Sequence, residues 1–515
     1  MRYDKTMSEP YFYIQNRNGG LVTRGVTAHS AGYKIPAHST ANPDGIFCEW
    51  SWDGKRLTAA NDRWGFRPLF YCFHQDTLYL SPSIRELLAQ GVPRELDPDA
   101  LSVFLRLGFF VGEDTPFKHI KILPPDATFA YEEGKLTVSG HYSVRSPIQI
   151  SENDAIDEYI RLFRQAMQRR LPASGEKFLV PLSGGRDSRH ILMELCHLGY
   201  KPEYAVTMRP YPPYYDEDIR IAREISQALG VNHLTLEHKS SYFADELQSF
   251  EMTNYGSDEH AWFVELGTWF KGRTNVSYDG IAGDVFTTGD FWKEELFDLI
   301  RTGRYSEACE RLLGEWEWMR PNDDVLKEIL PSDFFKTTNR DRAIARIIEE
   351  LKRHQSAHNP LTAFYFWNRT RRKIALMSYG VNTGVPTIHS PYLDHDLYNF
   401  LAALPPSLLA THTLHTKAIE RAYPQYTNIP YEDNDAQKID ASGHQQQFTK
   451  ELAWHSLKTN LWSSRLLRGR YLLPRMAKCL VSKKYSASLW RVKPPIIAYL
   501  HQLERLQRVG GAYGV

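Results

Sequence analysis

Short runs of alternating apolar and polar residues dominate the first 142 residues of the chain. Two pairs of such runs have the pattern of hairpin arms: residues 45–52 with 57–60, and residues 128–131 with 135–138. Asp53-Gly54 joins the first pair and Glu133-Gly134 the second, and Asp-Gly between two strands is a strong hairpin signal. A helix is predicted over Pro98–Leu107, with Asp97 as its N-cap. The pattern predicts an α+β domain of layered sheets.

Beyond a polar link at residues 143–153, helical and strand patterns alternate. Helices are predicted at 155–170, 189–198 and 216–229, and strands at 178–182, 203–207 and 233–236. This alternation predicts a parallel sheet with right-handed crossovers, which is an α/β arrangement. From residue 261 onward the pattern is mostly helical, and the chain shows no internal repeat or low-complexity segment.

A length of 515 residues suits two or three domains, and we predict boundaries that give 1–145, 146–440 and 441–515. The formal net charge is +1, but residues from Ala441 onward carry 13 Lys/Arg against 2 Asp/Glu, about +11, and the remainder about −10. Two alternatives follow. The basic tail packs on an acidic body, or it forms a surface for an acidic partner such as RNA, anionic lipid or a carrier domain.

The five cysteines are scattered, without CxxC or metal spacing: Cys48, Cys72, Cys196, Cys309 and Cys479. This usage fits a reducing compartment, and we expect a cytoplasmic protein without disulfides or a zinc site. The first residues, Met1-Arg2-Tyr3-Asp4-Lys5, lack the apolar core of a signal peptide. We also expect no membrane span, because no apolar run approaches about 18 residues.

The candidate chemistry lies in Ser183-Gly184-Gly185-Arg186-Asp187-Ser188, between a predicted strand and a predicted helix. Adjacent glycines let a phosphate approach the backbone, and a helix start offers free N–H groups. Asp187 can hold a Mg²⁺ that bridges phosphates. The segment lacks the Gly-Lys-Ser/Thr of a Walker loop. It matches the SGGxDS loop of enzymes that split ATP into AMP and pyrophosphate; the alternative is a turn that is merely rich in small residues.

Further motifs make the chain resemble the asparagine synthetase family, including its relatives the β-lactam synthetases and lasso-peptide cyclases. In the N-terminal part, the similar segments are 62–71 (D-R-W-G-F-R-P-L-F-Y) and 81–88 (S-P-S-I-R-E-L-L). In the synthetase part they are the SGGxDS loop, 279–286 (D-G-I-A-G-D-V-F), 391–394 (P-Y-L-D), 404–408 (L-P-P-S-L) and 417–421 (K-A-I-E-R). Several motifs in the family's order are far more specific than any one of them.

The resemblance implies an N-terminal domain like a glutamine amidotransferase, of the Ntn-hydrolase type, and a PP-loop ATP pyrophosphatase domain. It implies ATP and Mg²⁺ as cofactors and a ligase that activates a carboxylate as an acyl-adenylate and transfers it to ammonia or an amine. The implied ATP-binding residues are Leu182, Ser183, Gly184, Gly185, Asp187, Ser188, Gly280 and Gly283. Asp187 and Asp284 would be catalytic metal ligands, and Lys417 the catalytic cation of the amide-forming step.

Three departures from the family pattern change the expectation. The glutamine-using relatives have a Cys nucleophile after Met1, where this chain has Arg2, and their R-G-P-D segment is Arg24-Gly25-Val26-Thr27 here. Cys48 and Cys72 lie in predicted strands, so we predict that glutaminase activity is lost. Ile281 replaces a Glu or Tyr and cannot carry a proton. Thr387-Ile388-His389 replaces E-x-R, so we expect substrate recognition to differ from that of aspartate amidation.

Three other groups of residues carry weaker signals. Residues 255–260 (Y-G-S-D-E-H) are either a ligand contact or a surface turn. The histidines His389, His395, His412 and His415 lack metal-ligand spacing, and we interpret them as structural. Tyr211, Tyr214 and Tyr215 form an aromatic loop that is either a lid or a packed turn.

Our leading hypothesis is therefore a ligase that forms an amide from small-molecule carboxylate and amine substrates, with asparagine biosynthesis as the activity implied by resemblance. An intramolecular cyclase is a close variant. A catalytically impaired ATP-binding relative, and an adenylating enzyme that modifies RNA, are the other classes; we do not expect nucleic acid as a partner. A partner glutaminase and a homodimer remain open.

Overall fold

Three five-stranded sheets organise the chain in the computed structural model, which describes residues 9–17, 20–36, 43–213, 216–289, 292–432 and 439–508. Two antiparallel sheets form the N-terminal region, and their strands are β1 Phe12–Arg17, β2 Gly20–Gly25, β3 Ala28–Ile35, β4 Asp44–Trp52, β5 Arg56–Asn61, β6 Phe70–His74, β7 Thr77–Ser81, β8 Lys121–Ile122, β9 Thr128–Glu132 and β10 Lys135–Ser139. The sheet orders are β2-β1-β7-β6-β8 and β10-β9-β5-β4-β3.

The two predicted hairpins are confirmed. β4 pairs antiparallel with β5 and β9 with β10. The alternation of the sequence places apolar residues between the layers, where Ile14, Trp50 and Leu57 share one core. Helix α1 Ile84–Ala89 and helix α2 Pro98–Leu107 accompany the sheets. The α2 start is the predicted one, because the Asp97 carboxylate accepts from the N–H groups of Asp99 and Ala100 at 3.1 Å.

The third sheet is parallel throughout, as the alternating pattern predicts. Its strands are β11 Phe178–Pro181, β12 Tyr204–Met208, β13 His233–Leu236, β14 Val276–Tyr278 and β15 Thr387–His389, in the order β13-β12-β11-β14-β15. Helices α3 Glu152–Gln168, α4 Asp187–His197, α5 Glu217–Leu229 and α6 Tyr242–Met252 belong to the same region. The strand order turns at β11, so the loop after β11 opens at the position where ligands bind in open α/β sheets.

The rest of the chain is helical, apart from β14 and β15. The α-helices are α7 Val264–Phe270, α8 Gly283–Thr287, α9 Glu294–Arg301, α10 Tyr305–Trp316, α11 Asp323–Ile329, α12 Ser332–Thr337, α13 Arg340–His354, α14 Pro360–Phe364, α15 His395–Leu401, α16 Pro406–Leu409, α17 Leu414–Ala422, α18 Ser442–Lys458, α19 Gly469–Cys479, α20 Lys483–Leu489 and α21 Pro494–Arg508. Wider π-helical turns cover Tyr365–Ile374 and Met377–Val381. Short 3₁₀ turns cover Ala261–Phe263, Pro391–Leu393, Pro424–Tyr426, Leu461–Ser463 and Trp490–Val492.

The C-terminal helices α18 to α21 share an apolar core with the N-terminal region. Phe448 of α18 and Tyr499 of α21 belong to the cluster that holds Phe104 of α2. The rings of Phe104 and Tyr499 stack with centroids 4.5 Å apart. In the ranges that the structure describes, no helix combines the length and the apolar character needed to cross a membrane.

A buried ion-pair network joins the layered sheets to the parallel sheet. Arg170, directly after α3, contacts Asp44 of β4 at 2.5 Å and Asp394 at 2.7 Å. The Trp64 indole N–H donates to the Leu393 carbonyl at 3.0 Å. The P-Y-L-D segment of the sequence thus lies at the junction of the two regions, and Asp394 also begins α15 as its N-cap.

Candidate active site

The predicted phosphate loop leaves the sheet directly after β11. The Leu182 N–H donates to the Val206 carbonyl at 2.9 Å, and the Thr207 hydroxyl donates to the Leu182 carbonyl at 2.8 Å. The Leu182 side chain is buried in the core beside α4 and α5. The Leu182 backbone therefore positions the start of the loop, while the Leu182 side chain packs away from the loop.

The loop itself is closed by its two serines. The Ser183 and Ser188 hydroxyls lie 3.0 Å apart, and the Ser183 N–H donates to the Ser188 hydroxyl at 3.0 Å. The Gly185 N–H donates to the Ser183 hydroxyl at 3.2 Å. Helix α4 begins at Asp187, so the loop ends on the helix start, whose free N–H groups favour an anion.

The second predicted motif lies directly against Asp187. A Cβ on Gly280 would come within 2.5 Å of the Asp187 Cβ, and a Cβ on Gly283 within 2.5 Å of its Oδ1. Both glycines are therefore required by close approach to one carboxylate side chain. Ala282 between them has a left-handed backbone with φ of 72°. The buried Ile281 donates its N–H to Asp279 at 2.7 Å and offers no proton-carrying side chain.

The carboxylates of this region perturb one another. Burial, and then the neighbouring Asp284, raise the pKa of Asp187 well above its usual value. Burial also raises the pKa of Asp279 to about 6. A pair of half-buried carboxylates held close together is costly unless a proton or a cation joins it.

The residues present fit a Mg²⁺ ion. The Asp187 Oδ1 atom is buried and has no hydrogen-bond donor in the described residues. Asp187 and Asp284 offer oxygen ligands, and Mg²⁺ usually takes one or two carboxylates and completes its shell with water and substrate phosphates. The described residues contain no cluster of three or more acidic, His or Cys side chains that would hold a metal ion unaided.

His415 of α17 is a neighbour of Asp187 that the sequence did not indicate. Its Nε2 lies 3.5 Å from the Asp187 Oδ1, and its Nδ1 lies 2.6 Å from the Thr287 hydroxyl and 3.2 Å from the Tyr159 hydroxyl. Burial, with a smaller effect of Arg186, lowers the pKa of His415 to about 3, so the imidazole is neutral. We interpreted this histidine as structural; its position beside a predicted metal ligand gives it the geometry of a positioning residue.

A cover over the phosphate loop comes from residues 429–432. Arg189 donates to the Ile429 carbonyl at 3.1 Å, and its guanidinium lies 4.2 Å from the centre of the Tyr431 ring. Arg186 lies 4.7 Å from the same ring. The Glu432 N–H donates to the Gly184 carbonyl at 3.1 Å. Two arginines at helix spacing i and i+3 were visible in the sequence, but their partner lies more than 200 residues away.

An acidic pair also meets the loop at Gly184. The Gly184 N–H donates to the Asp218 carboxylate at the start of α5. Asp218 and Glu432 share a hydrogen bond, and partial desolvation followed by the charge of Asp218 raises the pKa of Glu432 to about 7. A carboxylate thus occupies an amide that could otherwise bind a phosphate.

Lys417 lies apart from the other predicted site residues. Its ammonium group donates to Glu152 at 2.7 Å, at the start of α3, and its side chain is 44% exposed. Two residues earlier on the same helix, His415 is the side chain that reaches Asp187. No described contact brings Lys417 to the carboxylate pair, and its catalytic role stays a prediction.

The weaker sequence signals have varied outcomes. Residues 255–260 do not form a surface turn, because Tyr255, Asp258 and His260 are buried and Asp258 pairs with Arg320 and Lys373. Tyr211 stacks on His238 with ring centroids 3.7 Å apart. Tyr214 and Tyr215 lie outside the described residues, as do Met1, Arg2 and the next six residues.

The structure joins a layered antiparallel domain to a parallel sheet that carries a Ser-Gly-Gly loop where its strand order reverses. This combination defines a class of two-domain α/β proteins. The chain belongs to the asparagine synthase family, whose profile matches residues 158–501. The profile of the glutamine amidotransferase domain matches residues 33–142. The family expected from the motifs is therefore confirmed. The family match runs through most of the predicted C-terminal extension.

Individual relatives match over parts of their length. Asparagine synthetase [glutamine-hydrolyzing] 1 of Bacillus subtilis is 22% identical over 42% of this chain and 34% of its own, and asparagine synthetase 3 of the same organism is 31% identical over 29% and 25%. Amidase chry2 of Gibberella zeae is 24% identical over 79% of this chain and 69% of its own. The chain thus spans about a third or less of the first two relatives.

Among solved structures, NMN synthetase from Francisella tularensis matches 42% of this chain with 16% identity and a TM-score of 0.22. A likeness of this size carries no argument about fold or function.

Proposed function

We propose that the protein is an ATP-dependent ligase that forms an amide bond from a carboxylate and an amine or ammonia. The observation that carries the proposal is the packing of two glycines of the second motif, Gly280 and Gly283, onto Asp187 at the end of the Ser-Gly-Gly loop. This packing holds two carboxylates beside a helix start that favours an anion. Membership of the asparagine synthase family supports the same chemistry.

In the proposed first step, an oxygen of the substrate carboxylate attacks the α-phosphorus of ATP. The bond from that phosphorus to the bridging oxygen breaks, so an acyl-adenylate forms and pyrophosphate leaves. The uncapped N–H groups at the start of α4 would bind the departing phosphates, and the Gly184 N–H would join them once it is released from Asp218. An amine then attacks the acyl carbon, loses a proton to solvent or a base, and AMP leaves.

We propose that Asp187 and Asp284 would hold the Mg²⁺, which supplies neutralising charge for the phosphates when it is bound. The protein's own contribution is to keep the two carboxylates together. Gly283 contacts the Asp187 carboxylate, and the Asp284 N–H hydrogen-bonds to it. His415 lies on another side of Asp187, with its Nε2 3.5 Å from the Asp187 Oδ1.

Lys417 enters the proposal as the predicted cation of the second step. To reach the acyl group it would have to leave Glu152, which its ammonium contacts at 2.7 Å. A Lys417→Met variant separates the roles. Pyrophosphate release with a carboxylate should be unchanged in either case, whereas only a catalytic lysine would slow the amide-forming step.

We also propose that the amine does not come from glutamine hydrolysis by a cysteine of the amidotransferase-like region. Both cysteines of that region, Cys48 and Cys72, are buried, and burial raises the pKa of each thiol to about 12. A thiol in this state is neither nucleophilic nor accessible. Release of ammonia from glutamine by the purified protein, lost in Cys48→Ala or Cys72→Ala, would contradict this part.

The first test is calorimetry of ATP binding with Mg²⁺ on the wild type, Asp187→Ala and the control Asp157→Ala, whose carboxylate lies on the exposed side of α3. We expect binding by the wild type and the control, and loss in Asp187→Ala. Carboxylates can then be screened for pyrophosphate release. A folded wild type that does not bind ATP in the presence of Mg²⁺ would contradict the proposal.

A further inference from the structure

Among the residues that the structure describes, most cationic side chains of the C-terminal helices α18 to α21 have no carboxylate partner outside these helices. Residues 441–508 contain 13 Lys/Arg against 2 Asp/Glu. Within the described ranges, one ion pair joins these helices to a carboxylate outside them, Arg491 with Glu328 at 2.7 Å. The two acidic residues are already used, since Glu451 accepts from Ser241 and Glu504 from Ser464.

The helices are held instead by their apolar side chains. On α18, Phe448, Leu452 and Ala453 are buried in the core shared with the N-terminal region. The sequence leaves two alternatives for the basic tail: packing on an acidic body, or a surface for an acidic partner. The helices do pack on the rest of the protein, but they do so through apolar contacts, which leave the positive charge unaccounted for. Nine of the thirteen cationic side chains are exposed and four are half-buried, so the positive charge of these helices is open to an acidic partner.

Large apolar side chains project from the same helices into solvent. Trp454 and Leu457 on α18 are 58% and 57% exposed, and Trp462 in the following 3₁₀ turn is 52% exposed. Trp454, Leu457 and Lys458 lie three and four positions apart, so they share one face of α18. The Arg470 guanidinium lies 5.6 Å from the Trp462 ring. We call the aromatic–basic patch the surface made by Trp454, Leu457, Lys458, Trp462, Arg465 and Arg470.

We propose that the aromatic–basic patch docks the protein on an anionic lipid bilayer. Its composition is that of a segment lying in a membrane interface, with Trp at the headgroup level, an aliphatic side chain below it and Lys/Arg beside anionic headgroups. Exposed apolar side chains grouped with cations mark an interaction site rather than ordinary surface. The proposal is surface docking and not spanning, in keeping with the length of the described helices.

The exposed aliphatic side chain decides between lipid and nucleic acid. A single-stranded RNA would offer phosphates to Lys458 and Arg470 and bases to stack on Trp454. Leu457 gains nothing from such a partner, because it neither stacks on a base nor binds a phosphate. In a bilayer, both tryptophans and Leu457 leave water together.

The test is co-sedimentation of the full chain with phosphatidylcholine vesicles that contain phosphatidylglycerol, and with vesicles of phosphatidylcholine alone. We expect binding to the anionic vesicles only, and weaker binding as salt rises from about 0.1 M to about 1 M, because the Debye length falls from about 10 Å to about 3 Å. The double variant Trp454→Ser/Trp462→Ser, and separately Lys458→Gln/Arg470→Gln, should bind the anionic vesicles about tenfold more weakly, the equivalent of about 1.4 kcal/mol.

The matched control is Trp318→Ser. Trp318 is 71% exposed, and its carbonyl accepts from Lys493 at the start of α21. The patch lies near the other end of α21, where Arg508 donates to Ser463. Trp318 is therefore an exposed tryptophan outside the patch. This control should bind like the wild type. All the substituted side chains are exposed, so melting temperatures of the variants should match the wild type and show that the fold is intact.

Three results would overturn the proposal. One is a wild type that sediments with neither kind of vesicle, and another is equal binding to both kinds without salt dependence. The third comes from a competition arm with a short single-stranded RNA. If the RNA binds the wild type and anionic vesicles do not displace it, the surface recognises nucleic acid and not lipid.

Discussion

Asp187 is the residue around which the candidate site is built. The two glycines of the second motif contact its side chain from one side, and His415 approaches its Oδ1 from another, 3.5 Å away. The space that a side chain would fill at Gly283 is therefore taken by a carboxylate. A carboxylate held in this way keeps one position, which is what a metal ligand beside a phosphate loop requires.

We predict that Gly283→Ala weakens ATP binding at least about tenfold and lowers the free energy of unfolding by about 1–3 kcal/mol, because the new methyl would meet the Asp187 carboxylate at 2.5–2.9 Å. Calorimetry and urea denaturation measure the two effects. The control is Gly314→Ala within α10, where a Cβ meets nothing within 4 Å. It should leave ATP binding unchanged and raise the free energy of unfolding by about 0.5–1 kcal/mol. Equal behaviour of the two variants would contradict the assigned packing.

At the scale of elements, the start of α5 and residues 429–432 come together over the phosphate loop. Asp218 accepts from the Gly184 N–H, and Glu432 hydrogen-bonds to Asp218. Two carboxyl groups beside an anion-binding amide are a local conflict, and a proton shared between them relieves it. The pH dependence of this contact follows from that proton.

We predict that Glu432→Gln stabilises the protein at pH 8 but not at pH 4. The pKa of Glu432 is raised from 4.5 to about 7, so its carboxyl holds a proton in the folded chain that the unfolded chain has lost. Glu432 therefore lowers the free energy of unfolding increasingly as pH rises from about 4.5 to about 7. Melting temperatures across this range measure the effect, and Glu294→Gln at the exposed start of α9 is the control. A difference between wild type and variant that does not grow with pH would rule out the shared proton.

The cap of α2 gives a second prediction at this scale. Asp97→Ala removes the acceptor of two N–H groups at the helix start, so the free energy of unfolding should fall by about 1 kcal/mol. Urea denaturation measures it. Asp97→Asn keeps an acceptor and should recover most of the loss. A loss of the same size in both variants would point to the nearby Lys121 contact at 3.6 Å instead of the cap.

At the scale of the molecule, the layered sheets and the parallel sheet are fixed to each other by a few buried groups. Arg170 contacts Asp44 and Asp394, which belong to different regions of the chain. Arg170 holds the pKa of Asp394 below its usual value in spite of burial. The junction therefore depends on one arginine pairing with both carboxylates.

Arg170→Met should lower the free energy of unfolding by about 3–5 kcal/mol, because two buried carboxylates lose their partner. The control is Arg161→Met on α3, where an exposed i,i+3 pair with Glu158 is lost and the change should stay within about 0.5 kcal/mol. Urea denaturation compares them. Restored stability in a triple variant with Asp44→Asn and Asp394→Asn would show that the unpaired charges, and not lost packing, cause the effect.

Several features could be predicted from the sequence because their signals are local. Both hairpins follow from a turn pair between alternating runs, and the α2 start follows from one aspartate before a proline. The predicted phosphate loop and the Gly-rich second motif are contiguous segments, so their residue types alone predict the chemistry of the site. The family follows from their order along the chain.

Other features are contacts between distant segments, and the sequence does not contain them. Strands β14 and β15 have three residues each, too short for a period, and exist because β11 and β14 offer free edges to pair with. His415 lies beside Asp187, while Lys417 on the same helix turns to Glu152. The exposure of the positive charge of α18 to α21 depends on which faces of these helices pack into the core. Local propensity and motif order were thus determined by the sequence alone. Which side chains meet was decided by the packing of helices and strands, because a face of an element is chosen by all of its neighbours together.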